Sequence, residues 1–297
     1  MKIAHLILAH TDADHIKKLV KRLITFSDVF IHIDANSNIN EFKNGLEQYE
    51  NCCFLEDRLH CEWGGGNAVW AELKLLRMAL EKNNYDRLVF LQGADYPLKS
   101  DQEIIDFYND NSNVEFIRAC CVTDEKNKYF YDKCRYYLFY NNKNFIKKVS
   151  NKVTRLFHIK LRDGYIRDGK EKYKVFWGSA QWALTRDCAK YILDFHDNHF
   201  EFNKWFYHAF PADELYMQTV VMNSSYRDKT LYRGPESPKK GLSNWRNLHY
   251  FEYLPGKIRV FTDEDFEFLH TRSELYVRKV NSNDSSRLIE MLDKCNR

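Results

Sequence analysis

Up to Ala119 the apolar residues follow two rhythms. Lys2 to Ala9 is a nearly continuous apolar run bounded by polar residues, as in a buried strand. Val29 to Ile33, Cys52 to Leu55, Arg87 to Leu91 and Val114 to Ile117 repeat that pattern. Between these runs the spacing becomes helical. Asp14 to Ile24 puts Ile16, Leu19, Val20 and Leu23 on one face. Ile39 to Tyr49 and Asp101 to Tyr108 read as helices. Asn67 to Lys82 aligns Val69, Leu73, Leu76 and Leu80. Alternating strands and helices predict an α/β fold with a mostly parallel central sheet flanked by helices. Such sheets bind ligands outside the carboxyl ends of their strands. The polar residues at those ends are His10, Asp12, Asp34 and Asp95, so three strands deliver acids to one edge.

After Ala119 the organisation changes. Residues 126 to 174 are basic and aromatic, with Lys143, Lys147, Lys148, Lys152, Arg155, Lys160, Arg162, Arg167, Lys170, Lys172 and Lys174. Phe145, Ile146, Val149, Val153, Leu156 and Phe157 interleave with these cations at helical spacing. That pattern suits an amphipathic helix lying on an anionic membrane surface, and equally one that packs its apolar side on the protein body. Val175 to Trp182 is a short apolar segment around Gly178-Ser179. Asp187 to Phe195 and Asp213 to Met222 are predicted helices, Asp263 to Leu269 a short one, Leu275 to Val280 strand-like, and Ser286 to Cys295 a terminal helix. No internal repeat or low-complexity linker divides the chain, so 1–297 reads as a single domain.

Composition narrows the partners. With 44% hydrophobic residues a sizeable core can form, and the net charge of +3 is too small to argue for nucleic acid. Aromatics at 15% suit sugar rings, although most will fill the core. The eight cysteines form no CxxC pair, which argues against a zinc ribbon. No secretory signal and no run of ~20 apolar residues is present. Free thiols without a signal lead to the expectation of a cytoplasmic protein, with peripheral contact at the inner face of the membrane.

Four constellations could carry chemistry. Asp34 closes an early strand, where an acid either contacts a nucleoside or caps the following loop. Metal-dependent sugar-nucleotide transferases carry Asp-x-Asp after the fourth strand, because a hard cation wants carboxylates beside the diphosphate. Here Gly93-Ala94-Asp95-Tyr96 supplies one acid. Asp12-Ala13-Asp14 has the spacing but reads as a helix start. The expectation is therefore no metal and no other cofactor, with Arg or Lys neutralising a diphosphate. Asp213-Glu214 after Pro211 either stabilises a helix start or supplies a general base. Arg278 and Lys279 are adjacent on an extended segment and should face opposite ways.

These segments together resemble the core-2/I-branching N-acetylglucosaminyltransferase family, which includes peptide O-xylosyltransferases. The matching pieces, in order, are Ala4 to His10, His32-Ile33-Asp34, Trp63-Gly64-Gly65, Leu91 to Lys99, Trp177-Gly178-Ser179-Ala180-Gln181-Trp182, Pro211-Ala212-Asp213-Glu214 and Val277-Arg278-Lys279. Residues 120 to 174 have no match. The resemblance implies a GT-A-like fold and an inverting, metal-independent transfer from a UDP-sugar, GlcNAc or xylose, to a saccharide or lipid-linked saccharide hydroxyl. It divides the chain into a nucleotide-sugar half, 1–119, and an acceptor and catalytic half, 120–297. It implies Glu214 as catalytic base, Lys279 at the diphosphate and Asp34 at the nucleoside. Arg246 and Arg259 both remain open for a second diphosphate cation, and His10, Asp95, Trp182 and Arg278 are further substrate-binding candidates. The missing Golgi anchor and cysteine framework suggest a bacterial member acting in surface polysaccharide synthesis. The rival from another class is a non-catalytic protein that binds nucleic acid or an anionic surface through 143–174.

Overall fold

The computed structural model describes residues 1–124, 131–139, 145–239 and 241–296. Lys143 of the basic stretch lies outside the described residues. Four strands, β1 (Ile3–Ala9), β2 (Asp28–Ile33), β3 (Cys52–Phe54) and β4 (Arg87–Gln92), run parallel in the order β4-β1-β2-β3. The strand Ala183–Thr185 pairs antiparallel outside β4 and completes the sheet. A mostly parallel sheet is therefore what the chain forms.

Successive side chains of a strand point to opposite faces. Ala4 and Leu6 of β1, Phe30, Leu88 and Phe90 pack with Val69, Leu73 and Leu76 of α3 (Gly66–Lys82) on one side. Ile3, Ile7, Val29, Ile31, Val89 and Leu91 pack on the other with Ile16 and Leu19 of α1 (Ala13–Leu23). Leu288 and Leu292 of the helix Ser286–Cys295 join them there. Helices thus cover both faces, which is why β1 reads as a continuous apolar run instead of an alternating one.

Three local expectations need correction. Val114 to Ile117 forms no strand, because its amides serve different neighbours: Glu115 N donates to Lys229 O and Phe116 N to Ala183 O, each at 2.9 Å, and no ladder develops. The helix α2 stops at Lys43 (Ile39–Lys43), since Asn44 is non-helical and Gly45 has φ +81°. The segment after Pro211 becomes a helix only at Tyr216 (Tyr216–Met222). Asp213 and Glu214 occupy the turn before it, where Leu215 N and Tyr216 N both donate to Ala212 O.

A second, three-stranded sheet carries the C-terminal part to the front edge. Tyr276–Arg278 runs antiparallel to β5 (Asp95–Pro97) and parallel to His249–Tyr250. The two sheets meet where β4 ends.

Candidate active site

The strand order reverses between β1 and β4, which are hydrogen-bonded neighbours up to the pair Leu8 and Gln92. The crevice beyond such a switch point is where open α/β sheets bind ligands. Its floor is tight: a Cβ on Gly93 would lie 2.9 Å from Ala9 Cβ. The segment after Arg278 closes over the same place. Val280 N donates to Ala94 O at 3.0 Å, and Ser282 N donates to Asp12 Oδ2 at 2.8 Å. Asp12 also accepts from His15 N at the start of α1, so its expected capping role is present together with a second anchoring bond.

Asp95 holds this junction together from inside. It is fully buried. Oδ1 accepts from Arg278 Nη1 at 2.8 Å, Oδ2 accepts from Gln92 N at 2.7 Å, and His249 Nε2 lies 3.2 Å from Oδ2. Burial alone would raise this carboxyl, but the Arg278 guanidinium and His249 outweigh it and hold it down at about 2. Both Asp95 oxygens are thus bonded within the fold, which corrects the assignment of Asp95 as a direct substrate ligand, while Arg278 spends Nη1 on Asp95. Lys279 differs. It is half-buried and has no carboxylate partner among the described residues, while its backbone bonds to Arg259 O and Phe261 N. Burial and the neighbouring Arg278 lower its pKa, against the pull of Asp95. Arg278 thus bonds a carboxylate of the fold, whereas no carboxylate among the described residues pairs with Lys279.

The second half of the site is the Asp213-Glu214 turn, which is braced from two directions. Ala212 N donates to Gly64 O at 2.8 Å. A Cβ on Gly64, whose φ is +68°, would meet Phe210 Cε2 at 2.5 Å. From the other direction Gly178 N donates to Glu214 O at 3.0 Å, and a Cβ on Gly178 would sit 1.8 Å from Arg118 O. Only glycine lets the chain at 178 lie flush against that carbonyl. The Glu214 side chain is anchored by one oxygen: Trp177 Nε1 donates to Oε2 at 2.6 Å, with Lys133 Nζ at 3.8 Å from the same oxygen and over the Trp177 ring. Oε1 has no hydrogen-bond partner among the described residues, and the side chain is 26% exposed. One lone-pair set is fixed and the other faces outward, the arrangement a proton acceptor needs.

Asp213 is the contrasting neighbour. Its Oδ1 has no hydrogen-bond partner. Burial first, and then the Glu214 carboxylate, push its carboxyl up to about 7. Lys133 is lowered by burial, with Glu214 and Asp213 opposing that shift. The two sides of the site are linked through Gly178–Gln181. Gln181 Nε2 donates to Gln92 Oε1 at the end of β4, Ser179 Oγ donates to Gln181 Oε1, and Gln218 Nε2 donates to Ser179 O.

The remaining predicted residues separate clearly. His10 is exposed at the β1 end, its carbonyl accepting from Ser37 Oγ. Asp34 is buried and caps loops, accepting from Asn36 N, from Cys61 N at 2.6 Å, and contacting His60 Nδ1 at 3.1 Å. Those bonds lower its pKa even though burial opposes them. Trp182 is a core residue, fully buried, stacked on Phe90 and donating to Glu72, so it lines no sugar pocket. Arg259 is spent on Glu252 and Asp265. Arg246 bonds Phe251 O through Nε and stacks on Tyr250, with no carboxylate partner among the described residues. Its neighbour Asn247 bonds Gln181 O and Phe116 O, beside the linking segment. Sequence reasoning missed Lys133 and His249. Lys133 lies in the stretch without a matching motif and meets Glu214 across 81 positions, so no local pattern could reveal it. Among the described residues no group of three or more His, Cys, Asp or Glu is arranged to hold a metal ion.

Fold and site together define an α/β protein with a half-buried lysine, Lys279, beside the carboxyl edge of its sheet and a half-anchored carboxylate, Glu214, on a separate braced turn. The chain belongs to the Core-2/I-Branching enzyme family, a family of glycosyltransferases, whose model matches residues 3–266. It is similar to xylosyltransferase 2 of Rattus norvegicus, 23% identical over 99% of this chain and 33% of the relative. It is also similar to xylosyltransferase 1 of the same species, 23% identical over 99% of this chain and 35% of the relative. The chain therefore spans about a third of the length of the curated relatives it matches. A solved structure of a putative glucose-1-phosphate thymidylyltransferase from Bacillus anthracis covers 64% of this chain and 74% of its own, at 12% identity and a TM-score of 0.29.

Proposed function

We propose that this protein transfers GlcNAc or xylose from a UDP-sugar to a saccharide hydroxyl, with inversion and without a metal ion, in the assembly of a surface polysaccharide. Glu214 is the observation that carries the reading: a carboxylate anchored through Oε2 and open at Oε1, on a turn braced by two glycines. The acceptor hydroxyl gives its proton to Glu214 as its oxygen attacks the anomeric carbon, and the bond to UDP breaks. Lys279 neutralises the diphosphate as its charge grows, an effect that is usually a large catalytic contribution. Arg246 is the better second cation, because Arg259 is already neutralised by two carboxylates. Asp34 shapes the loops that border the nucleoside through its caps. The one acid at the position of a metal-binding pair is Asp95, sealed in the Arg278 and His249 contacts, which supports the metal-free reading.

Two variants separate the roles. Glu214→Gln should lose transfer by ~10²–10⁴-fold while UDP binding is unchanged. Lys279→Ala should weaken UDP binding roughly 10- to 100-fold, the worth of a charge-assisted bond. Near-normal turnover of Glu214→Gln, measured as UDP release with UDP-GlcNAc and UDP-xylose, would overturn the assignment of the base.

A further inference from the structure

The helix Phe145–Leu156 is built the wrong way round for a helix that packs on its own protein. Its buried residues are the polar Asn151 and Thr154. Asn151 is anchored by a two-way pairing with the Phe139 backbone: Phe139 N donates to Oδ1 at 2.8 Å and Nδ2 donates to Phe139 O at 3.0 Å. The apolar side faces outward. Phe145 is 78% exposed, Leu156 and Phe157 69% each, and Val149 and Val153 are also exposed. At about 100° per residue these side chains form one stripe over about a third of the helix surface, bordered along one edge by Lys148, Lys152 and Arg155. The patch continues past the helix. Leu161 is exposed beyond it, Arg155 lies over the Phe210 ring, and Trp63, 80% exposed, packs edge-on to the same ring.

Charge identifies what covers the stripe. From Lys133 to Arg162 the chain has nine Lys or Arg and no acid. A second copy of this chain would bring the same cations face to face. An anionic lipid bilayer satisfies both halves of the surface, taking the apolar stripe into the acyl boundary and the lysines at the headgroups. Tryptophan is enriched at that interface as well. The geometry points to peripheral binding of an anionic phospholipid bilayer through the helix Phe145–Leu156 and Trp63. Among the described residues no helix is long and apolar enough to cross a membrane, so the attachment lies on the surface. Phe210 touches this patch and leads directly into the Asp213-Glu214 turn. Resting on the transferase reading, this would bring a lipid-linked acceptor to the base.

Sedimentation with vesicles of phosphatidylcholine alone and of phosphatidylcholine with phosphatidylglycerol tests the proposal on the whole chain, without donor or acceptor. Binding is expected only to the mixed vesicles and should weaken with salt. Replacing Lys147, Lys148 and Lys152 with Glu should lower the partition coefficient about 100-fold. Leu156→Ser with Phe157→Ser should abolish binding, with an unchanged thermal melt because both residues are exposed. Glu214→Gln should bind as the wild type does, so a wrong catalytic assignment leaves the result intact. Failure to bind both vesicle types would overturn the proposal. So would binding that survives the serine pair, or a dimer in size-exclusion chromatography that the serine pair turns into a monomer.

Discussion

Asp213 and Glu214 are adjacent in the chain and differ in almost everything that matters for chemistry. Glu214 receives an indole N–H and keeps one oxygen outward, while Asp213 is enclosed with Oδ1 unbonded. Burial and the Glu214 charge raise the folded-state pKa of Asp213 to about 7. In the unfolded chain it returns to the usual ~4. Between those values the folded state holds a proton that the unfolded state has lost, so stability falls as pH rises from about 4 to 7 and stays low above it. Asp213→Asn removes that cost. The variant should gain on the wild type by up to about 4 kcal/mol at pH 8, about three pH units at ~1.4 kcal/mol each, and by much less at pH 4.5, measured by urea denaturation. An equal difference at both pH values would show that Asp213 is ionised throughout.

At the scale of elements, the segment Gly178–Gln181 joins the end of β4 to the Glu214 turn. Its approach to Arg118 leaves no room for a methyl group, because the obstructing atom is a backbone carbonyl that cannot rotate away. Gly178→Ala should therefore lower stability by at least about 2 kcal/mol, and should reduce transfer further by displacing the amide that bonds Glu214 O. An unchanged urea midpoint would contradict the close approach. The helix Phe145–Leu156 teaches the opposite lesson about periodicity. Its spacing was legible in sequence, but spacing cannot say which side of an amphipathic helix meets the protein. Asn151 decided that through its bonds to Phe139.

At the scale of the whole molecule, the C-terminal strand Tyr276–Arg278 closes on β5 and uses Arg278 to neutralise the buried Asp95. The acid that sequence position offers to a metal is thereby part of the joint between two sheets. Transfer should persist in EDTA at the rate seen before chelation. Loss of transfer restored by Mn²⁺ or Mg²⁺ would place a metal in the mechanism.

The sequence by itself determined the α/β alternation and the parallel sheet, because a strand covered on both faces must be apolar almost throughout, as Ile3–Ala9 is apart from His5, whose ring is bonded to Ser27 and Tyr276. It also carried the motifs of the Core-2/I-Branching enzyme family, whose model matches residues 3–266. Tertiary structure alone decided which charges are available. Arg259 and Arg278 look no different from Lys279 in sequence. Folding pairs Arg259 with two carboxylates and Arg278, through Nη1, with one 183 positions away. Trp182 was equally indistinguishable from a sugar-binding aromatic until Phe90 and Glu72 closed around it. Commitment of a charge or a ring depends on partners within a few ångströms in space, and their distance along the chain is set by topology.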